Sequence, residues 1–144
     1  MHAQTTRWPY GPLRVLLLGA IVIGASIARP RLVTLLRVKV VLITGGAGTI
    51  GSAVAHRLLA YGCRAIRLLD HSEEKAFYLD LTFRKHTNVR TLLGDIRDRS
   101  RMVRAMQGVN FVIHAAALKH VELGEYNPFE VVNTNLDALQ SLIE

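Results

Sequence analysis

The stretch ITGGAGTIGS, residues 43–52, constrains the fold more than any other part of this chain. Three glycines recur at a spacing of three, Gly45, Gly48 and Gly51, directly after the apolar run KVVLIT (39–44) and at the start of IGSAVAHRLLAYG (50–62). The run before them is continuous and rich in β-branched residues, which suits a strand buried on both faces. The run after them sets Ile50, Val54, Leu58 and Leu59 at helical spacing and stops at Gly62. A glycine-rich turn from strand to helix is a place for phosphate, because the helix start offers unpaired N–H groups and a partial positive charge. In such a turn Gly45 takes the tight conformation, Gly48 leaves space for a pyrophosphate beside the main chain, and Gly51 lets helix and strand pack closely.

The alternation continues to the end of the chain. RAIRLLD (64–70) reads as a second strand, and SEEKAFYLDLTFRKH (72–86) as a helix capped by Ser72 with Glu73 and Glu74 in its first turn. NVRTLLGD (88–95) reads as a third strand and RSRMVRAMQG (99–108) as a helix. NFVIHAAA (110–117) reads as a fourth strand. NPFEVVNTNLDALQSLIE (127–144) reads as a closing helix, with Asn127 as cap and Pro128 at its first position. Strand and helix alternating four times predict an α/β fold, a Rossmann-like doubly wound parallel sheet, truncated after about four strands. Half the residues are hydrophobic, enough for the core of one domain. The single cysteine, Cys63, excludes an internal disulfide and a four-cysteine zinc site and reads as a small half-buried filler. The six histidines form no H-E-x-x-H pattern, and no metal is expected.

The net charge of +7 is confined to one half of the chain. Nine Lys and Arg and no acid precede Asp70, whereas nine basic and eleven acidic residues lie from Asp70 onward. That distribution argues against a nucleic-acid face spread over the domain. It points to residues 1–38, an apolar basic leader distinct from the domain at 39–144. Its uninterrupted apolar stretch, Val15 to Ala28, is shorter than the roughly 20 residues a spanning helix needs. Basic residues crowd its C-terminal side (Arg29, Arg31, Arg37, Lys39), which would keep the following domain cytoplasmic. Three readings stand open: membrane association through residues 13–28 at the inner face, a targeting peptide cleaved near ASIA (25–28), or a buried or poorly ordered leader.

Asp70 ends the second strand about 20 residues beyond the glycines, where an acid can accept hydrogen bonds from an adenosine ribose. Its charge repels a 2′-phosphate, so NAD is expected, with NADP as the lesser alternative because Arg and Lys are near.

The spacing T-G-x-x-G-x-x-G resembles the extended short-chain dehydrogenase/reductase superfamily. Three segments carry the resemblance further: LLGDIRD (92–98), HAAA (114–117) and NTNLDAL (133–139). The segments LLDHSEEKAFYLDL (68–81) and HAAALKHVELGEYNPFEVVNTN (114–135) are similar to its polysaccharide-biosynthesis branch of nucleotide-sugar 4,6-dehydratases and epimerases, typically acting on UDP-N-acetylglucosamine. The resemblance covers about residues 39 to 144. It implies cofactor contacts from Gly45, Gly48, Thr49, Ile50 and Gly51, from Asp70 with His71 and Ser72, from Asp95 and Ile96 at the adenine, and from Ala115, Ala116, Ala117, Lys119 and Asn135. Some members of the branch carry membrane spans before this domain.

The sequence departs from the family in two places. The family's catalysis uses Tyr and Lys four residues apart, the lysine helping the phenol act as acid or base. Here Tyr10, Tyr61, Tyr78 and Tyr126 are followed four residues on by Arg14, Ala65, Thr82 and Glu130. No catalytic residue is assigned. Ala138 and Leu139 also stand where the family has Gly and Thr. Two readings follow: the dinucleotide-binding portion of a nucleotide-sugar enzyme, active only with a C-terminal partner or continuation and expected to assemble as a homo-oligomer or with that C-terminal partner, or a non-enzymatic NAD-binding sensor or docking module.

Overall fold

A computed structural model of the chain describes residues 14–16, 34 and 36–143. In chain order the elements are β1 (Arg14–Leu16), β2 (Val40–Thr44), α1 (Thr49–Ala60), β3 (Ala65–Asp70), α2 (Glu73–Phe83), β4 (Val89–Leu93), α3 (Arg99–Met106) and β5 (Phe111–His114). After them come α4 (Val121–Tyr126), α5 (Pro128–Val132), a π-helical turn (Asn133–Asp137) and α6 (Ala138–Ile143). All strands are parallel in one sheet of order β1-β5-β2-β3-β4. The expected α/β doubly wound architecture is therefore present.

The sheet is buried on both faces, as the continuous apolar strands require. Successive residues of β2 point to opposite sides. Val41 and Ile43 pack with Ile66 and Leu68 of β3 under α1 and α2, where Ala55, Leu58, Leu79 and Phe83 close one core. Leu42 packs with Leu69 and Val112 against α3 and α6, where Met102, Ala105, Ala138 and Leu142 close the other. Cys63 is fully buried rather than half-buried, and its thiol donates to the Lys39 carbonyl oxygen at 3.3 Å.

Three features differ from the sequence reading. The sheet has a fifth strand, β1, drawn from the leader and paired with β5 from Arg14↔Phe111 to Leu16↔Ile113. It gives hydrogen-bond partners to an edge of β5 that four strands alone would leave open. A three-residue strand has too little periodicity to show inside an apolar run. The remainder of the 13–28 run and the ASIA segment lie outside the described residues. A short helix, α4, also precedes the closing helix. Finally, Asn127 makes no side-chain capping bond; its amide instead donates back to the Leu123 carbonyl oxygen at 2.9 Å. Among the described residues no helix is long and apolar enough to cross a membrane.

Candidate functional site

The turn from β2 to α1 is held by three contacts that its glycines permit. Gly45 has φ +65°, and a Cβ there would lie 2.7 Å from the Ala116 nitrogen, so the turn rests directly on the chain leaving β5. A Cβ on Gly51 would overlap the Gly45 carbonyl oxygen, which explains the close fit of helix to turn. Gly46, which stands outside the triplet, is buried, and a Cβ on it would come within 2.9 Å of the Leu68 side chain. The sequence signal for this fourth glycine was present, a G-G pair, but its packing against β3 depends on a distant residue. Gly48 is different. It is exposed, caps α1, and a Cβ there would meet only the Gly45 carbonyl oxygen, at 3.2 Å. Space therefore lies open beside the start of α1. The N–H groups of Thr49, Ile50 and Gly51 occupy the first turn of that helix, where no intrahelical acceptor exists.

Asp70, at the end of β3, is 7% exposed and is bound to that turn. One carboxylate oxygen accepts from the Ala47 N–H at 3.0 Å and the other from the Ser72 N–H at 3.1 Å. His71 Nδ1 lies 3.6 Å from the same carboxylate and is largely exposed. The Ser72 hydroxyl caps α2 by accepting from the Lys75 N–H at 3.4 Å. The structure thus brings Asp70, His71, Ser72 and the glycine turn together. A carboxylate oxygen has room for more than one donor, so Asp70 keeps acceptor capacity beyond its two backbone bonds.

Asp95 follows β4 on the same edge of the sheet. Its carboxylate is gripped by Arg97 at 2.6 Å, and Arg97 reaches on to Glu130 of α5 at 2.5 Å. The hydrogen bonds from Arg97 hold the Asp95 carboxyl below the usual carboxylate range. Nothing in the sequence separates Arg97 from its neighbouring arginines; only the fold places Glu130 opposite it. Ile96 is buried in the core under α3, which leaves its side chain no part in a contact with ligand.

The chain leaving β5 forms the other wall. Ala115 donates its N–H to the Thr44 carbonyl oxygen at 3.1 Å. Ala115 and Ala116 are half-buried, and Ala117 and Lys119 are exposed. Asn135, in the π-helical turn, grips the Leu118 peptide unit from both sides: its Oδ1 accepts from the Leu118 N–H and its Nδ2 donates to the Leu118 carbonyl oxygen, each at 2.9 Å. An interruption of this kind in a helix recurs at functional sites.

An open helix start, a glycine turn and an acid closing the neighbouring strand sit at the C-terminal edge of a parallel sheet, where ligands of such folds bind. Together they define a Rossmann-like domain of the short-chain dehydrogenase/reductase class. The chain belongs to the polysaccharide biosynthesis protein family, whose model matches residues 41–144. It is 41% identical over 107 residues to an inverting UDP-N-acetylglucosamine 4,6-dehydratase of Campylobacter jejuni, covering 74% of this chain and 32% of that protein. The X-ray structure of Pen from Bacillus thuringiensis superposes with a TM-score of 0.73 at 43% identity, over 75% of this chain and 34% of that one. A dTDP-glucose 4,6-dehydratase, DesIV of Streptomyces venezuelae, solved with NAD and DAU bound, gives 0.63 at 29% identity, over 71% and 34% of the two chains. The chain spans about a third of the length of the curated relatives it matches.

Proposed function

We propose that this chain is the NAD-binding portion of a nucleotide-sugar 4,6-dehydratase or epimerase of polysaccharide biosynthesis, serving a substrate of the UDP-N-acetylglucosamine type. The observation that carries the reading is the open space at Gly48, backed by the N–H groups of Thr49, Ile50 and Gly51 and braced by Asp70 through Ala47. The fit to a dinucleotide is chemical as well as spatial. The helix start suits a pyrophosphate, and the Asp70 carboxylate suits ribose hydroxyls while opposing a 2′-phosphate. NAD supplies a hydride acceptor when bound. The chain's own residues bind and orient: the glycine turn receives the phosphates, Asp70 selects the ribose, and the Asp95–Ile96 backbone meets the adenine. Ala115–Ala117, set by Thr44 and Asn135, line the way toward the nicotinamide, and Lys119 stands at its mouth.

The proton transfer that accompanies oxidation of a sugar hydroxyl needs a base, and no tyrosine in this sequence has a lysine four residues on. The nucleotide sugar is therefore a partner when the catalytic segment is supplied by a C-terminal partner or continuation. Assembly, with that partner or with a second copy, is supported by Tyr126 and Phe129, which lie three positions apart in sequence and are 87% and 82% exposed. The leader's basic flank supports a cytoplasmic position at the inner face of a membrane. The lack of a Y-x-x-x-K pair equally supports a second reading, an NAD-binding module without catalysis.

One assay separates them. The chain is incubated with NAD and UDP-N-acetylglucosamine, alone and with a polypeptide supplying the Tyr-x-x-x-Lys segment of its relatives, and the sugar nucleotides are resolved by chromatography. The enzyme reading expects a 4-keto-6-deoxy or epimerised product only in the mixture. Product from the chain alone would mean that a catalytic base lies among residues assigned to binding. No product in either arm, with NAD bound, favours the sensor module.

A further inference from the structure

Every strand of this sheet runs the same way, so residues that precede strands share one edge and residues that follow them share the other. The acids Asp70, Asp95 and Asp98 follow strands and stand at the cofactor edge. The opposite edge is basic. Arg37 and Lys39 precede β2, Arg57 and Arg64 precede β3, and Arg84 and Lys85 precede β4. All but Lys39 are exposed, and Lys39 is partly so. Among the described residues the ion pair formed there is that of Arg84 with Asp80, at 3.9 Å and well exposed on both sides. Arg37 and Arg64 are neighbours: the Arg64 N–H donates to the Leu36 carbonyl oxygen at 3.3 Å, and the Arg37 side chain passes 3.7 Å from where a Cβ on Gly62 would stand.

Helix dipoles account for a cation at the end of α1, where Arg57 sits. They do not account for Arg37, Lys39 and Arg64, which lie on no helix. Between Arg37 and Lys39 the apolar side chain of Val38 is 62% exposed. In sequence this edge follows the apolar run Val15 to Ala28 and two further arginines, Arg29 and Arg31. We propose that the basic edge of the sheet, centred on Arg37, Lys39 and Arg64, docks on an anionic lipid surface and so turns the cofactor edge toward the aqueous phase. Lipid is favoured over nucleic acid because Val38 offers an acyl region something to take up and offers a phosphodiester backbone nothing. The consequence is functional: a water-soluble nucleotide sugar reaches a site that faces away from the membrane.

The test is sedimentation of the full chain with vesicles of phosphatidylcholine alone and of phosphatidylcholine with about one-third phosphatidylglycerol, at low and high salt. Apolar contact with the bilayer adds a term that ignores headgroup charge and salt; the basic edge adds one that follows both. The wild type should prefer the anionic vesicles and lose that preference in high salt. Arg37→Gln, Arg64→Gln and Lys85→Gln combined should lower the anionic partition coefficient by about fivefold per charge, about a hundredfold in all, with binding to neutral vesicles unchanged. Should the triple variant fail to fold, Arg64→Gln alone should show the single fivefold step. Equal partition of wild type and variants on anionic vesicles overturns the proposal. So does tighter binding to duplex DNA than to anionic vesicles at the same phosphate concentration and salt, which would make the edge a nucleic-acid surface.

Discussion

The Thr44 hydroxyl lies 2.7 Å from Nδ1 of His114, joining the last residue of β2 to the last residue of β5. Thr44 is fully buried and leads into the glycine turn; His114 leads into Ala115–Ala117. One side-chain hydrogen bond therefore sets the relative position of the two turns that flank the candidate cofactor crevice. The backbone bond from Ala115 to Thr44 and the close approach of Gly45 to Ala116 continue the same seam.

The burial of His114 makes stability depend on pH. Burial pushes the His114 imidazole below its usual range, so the folded chain holds it neutral. Between an unfolded value of about 6.5 and the lower folded one, the unfolded chain binds the extra proton. Stability should then fall as pH drops through that window and level off, for this group, below the folded value. Thermal midpoints measured from pH 8 to 5 (the window opening at about 6.5 and extending below it) should decline in the wild type and decline less steeply in His114→Gln. Parallel curves for the two proteins would show that His114 titrates as it does in the unfolded chain.

Gly45 and Gly108 offer a controlled comparison. Both have positive φ, +65° and +69°, but an added Cβ meets the Ala115–Ala116 backbone at Gly45 and nothing within 4 Å at Gly108. Gly108→Ala should cost about 1–2 kcal/mol, the backbone strain alone. Gly45→Ala should cost more, because the chain leaving β5 must also move. Denaturant unfolding of the two variants checks the order. Equal losses would mean that the Gly45 turn yields without displacing its neighbour.

Asp70 is expected to set the cofactor choice. Asp70→Asn removes the charge that opposes a 2′-phosphate, and it presents an amide N–H₂ to a backbone N–H on one side. Affinity for NAD should fall, and the ratio of NADP to NAD dissociation constants should move toward one. The ratio separates the two effects, since a loosened turn weakens both cofactors alike. A wild type that binds NADP more tightly than NAD would contradict the role given to this carboxylate.

The parts of this molecule that were legible in the sequence are those set by short-range pattern. The β2 run and the glycine spacing follow from residues within twenty positions of one another, and Ser72 caps α2 as its position before Glu73 and Glu74 implies. Of the apolar stripe expected on α1, Leu58 is buried and Val54 and Leu59 pack on the core, but Ile50 is 53% exposed and small Gly51 and Ala55 take the buried face instead. Long-range pairing was not legible. Nothing local announces that Arg14–Leu16 joins β5 across about a hundred residues, that Arg97 meets Glu130, or that Asn135 holds Leu118. Asn127 shows the converse: its position before Pro128 signals a cap, yet the preceding helix α4 offers the Leu123 carbonyl as a competing partner. Asp70 was found by its place in the chain, but its bond to Ala47 makes it a brace for the phosphate turn as well as a ribose acceptor.

The central claim is that the space beside Gly48 receives the cofactor's diphosphate, and calorimetric titration with NAD of the wild type and of Gly48→Val tests it most directly. Gly48 has an extended backbone, φ −75° and ψ 164°, which valine also adopts, and its Cβ position meets one atom, the Gly45 carbonyl oxygen at 3.2 Å, which has to give by only a few tenths of an ångström. The substitution should therefore leave the fold in place and fill the space that a phosphate would use. The wild type should bind NAD with saturable heat, and Gly48→Val should show no binding while keeping the wild-type thermal midpoint to within a few degrees. Equal NAD affinity in the two proteins would contradict the account.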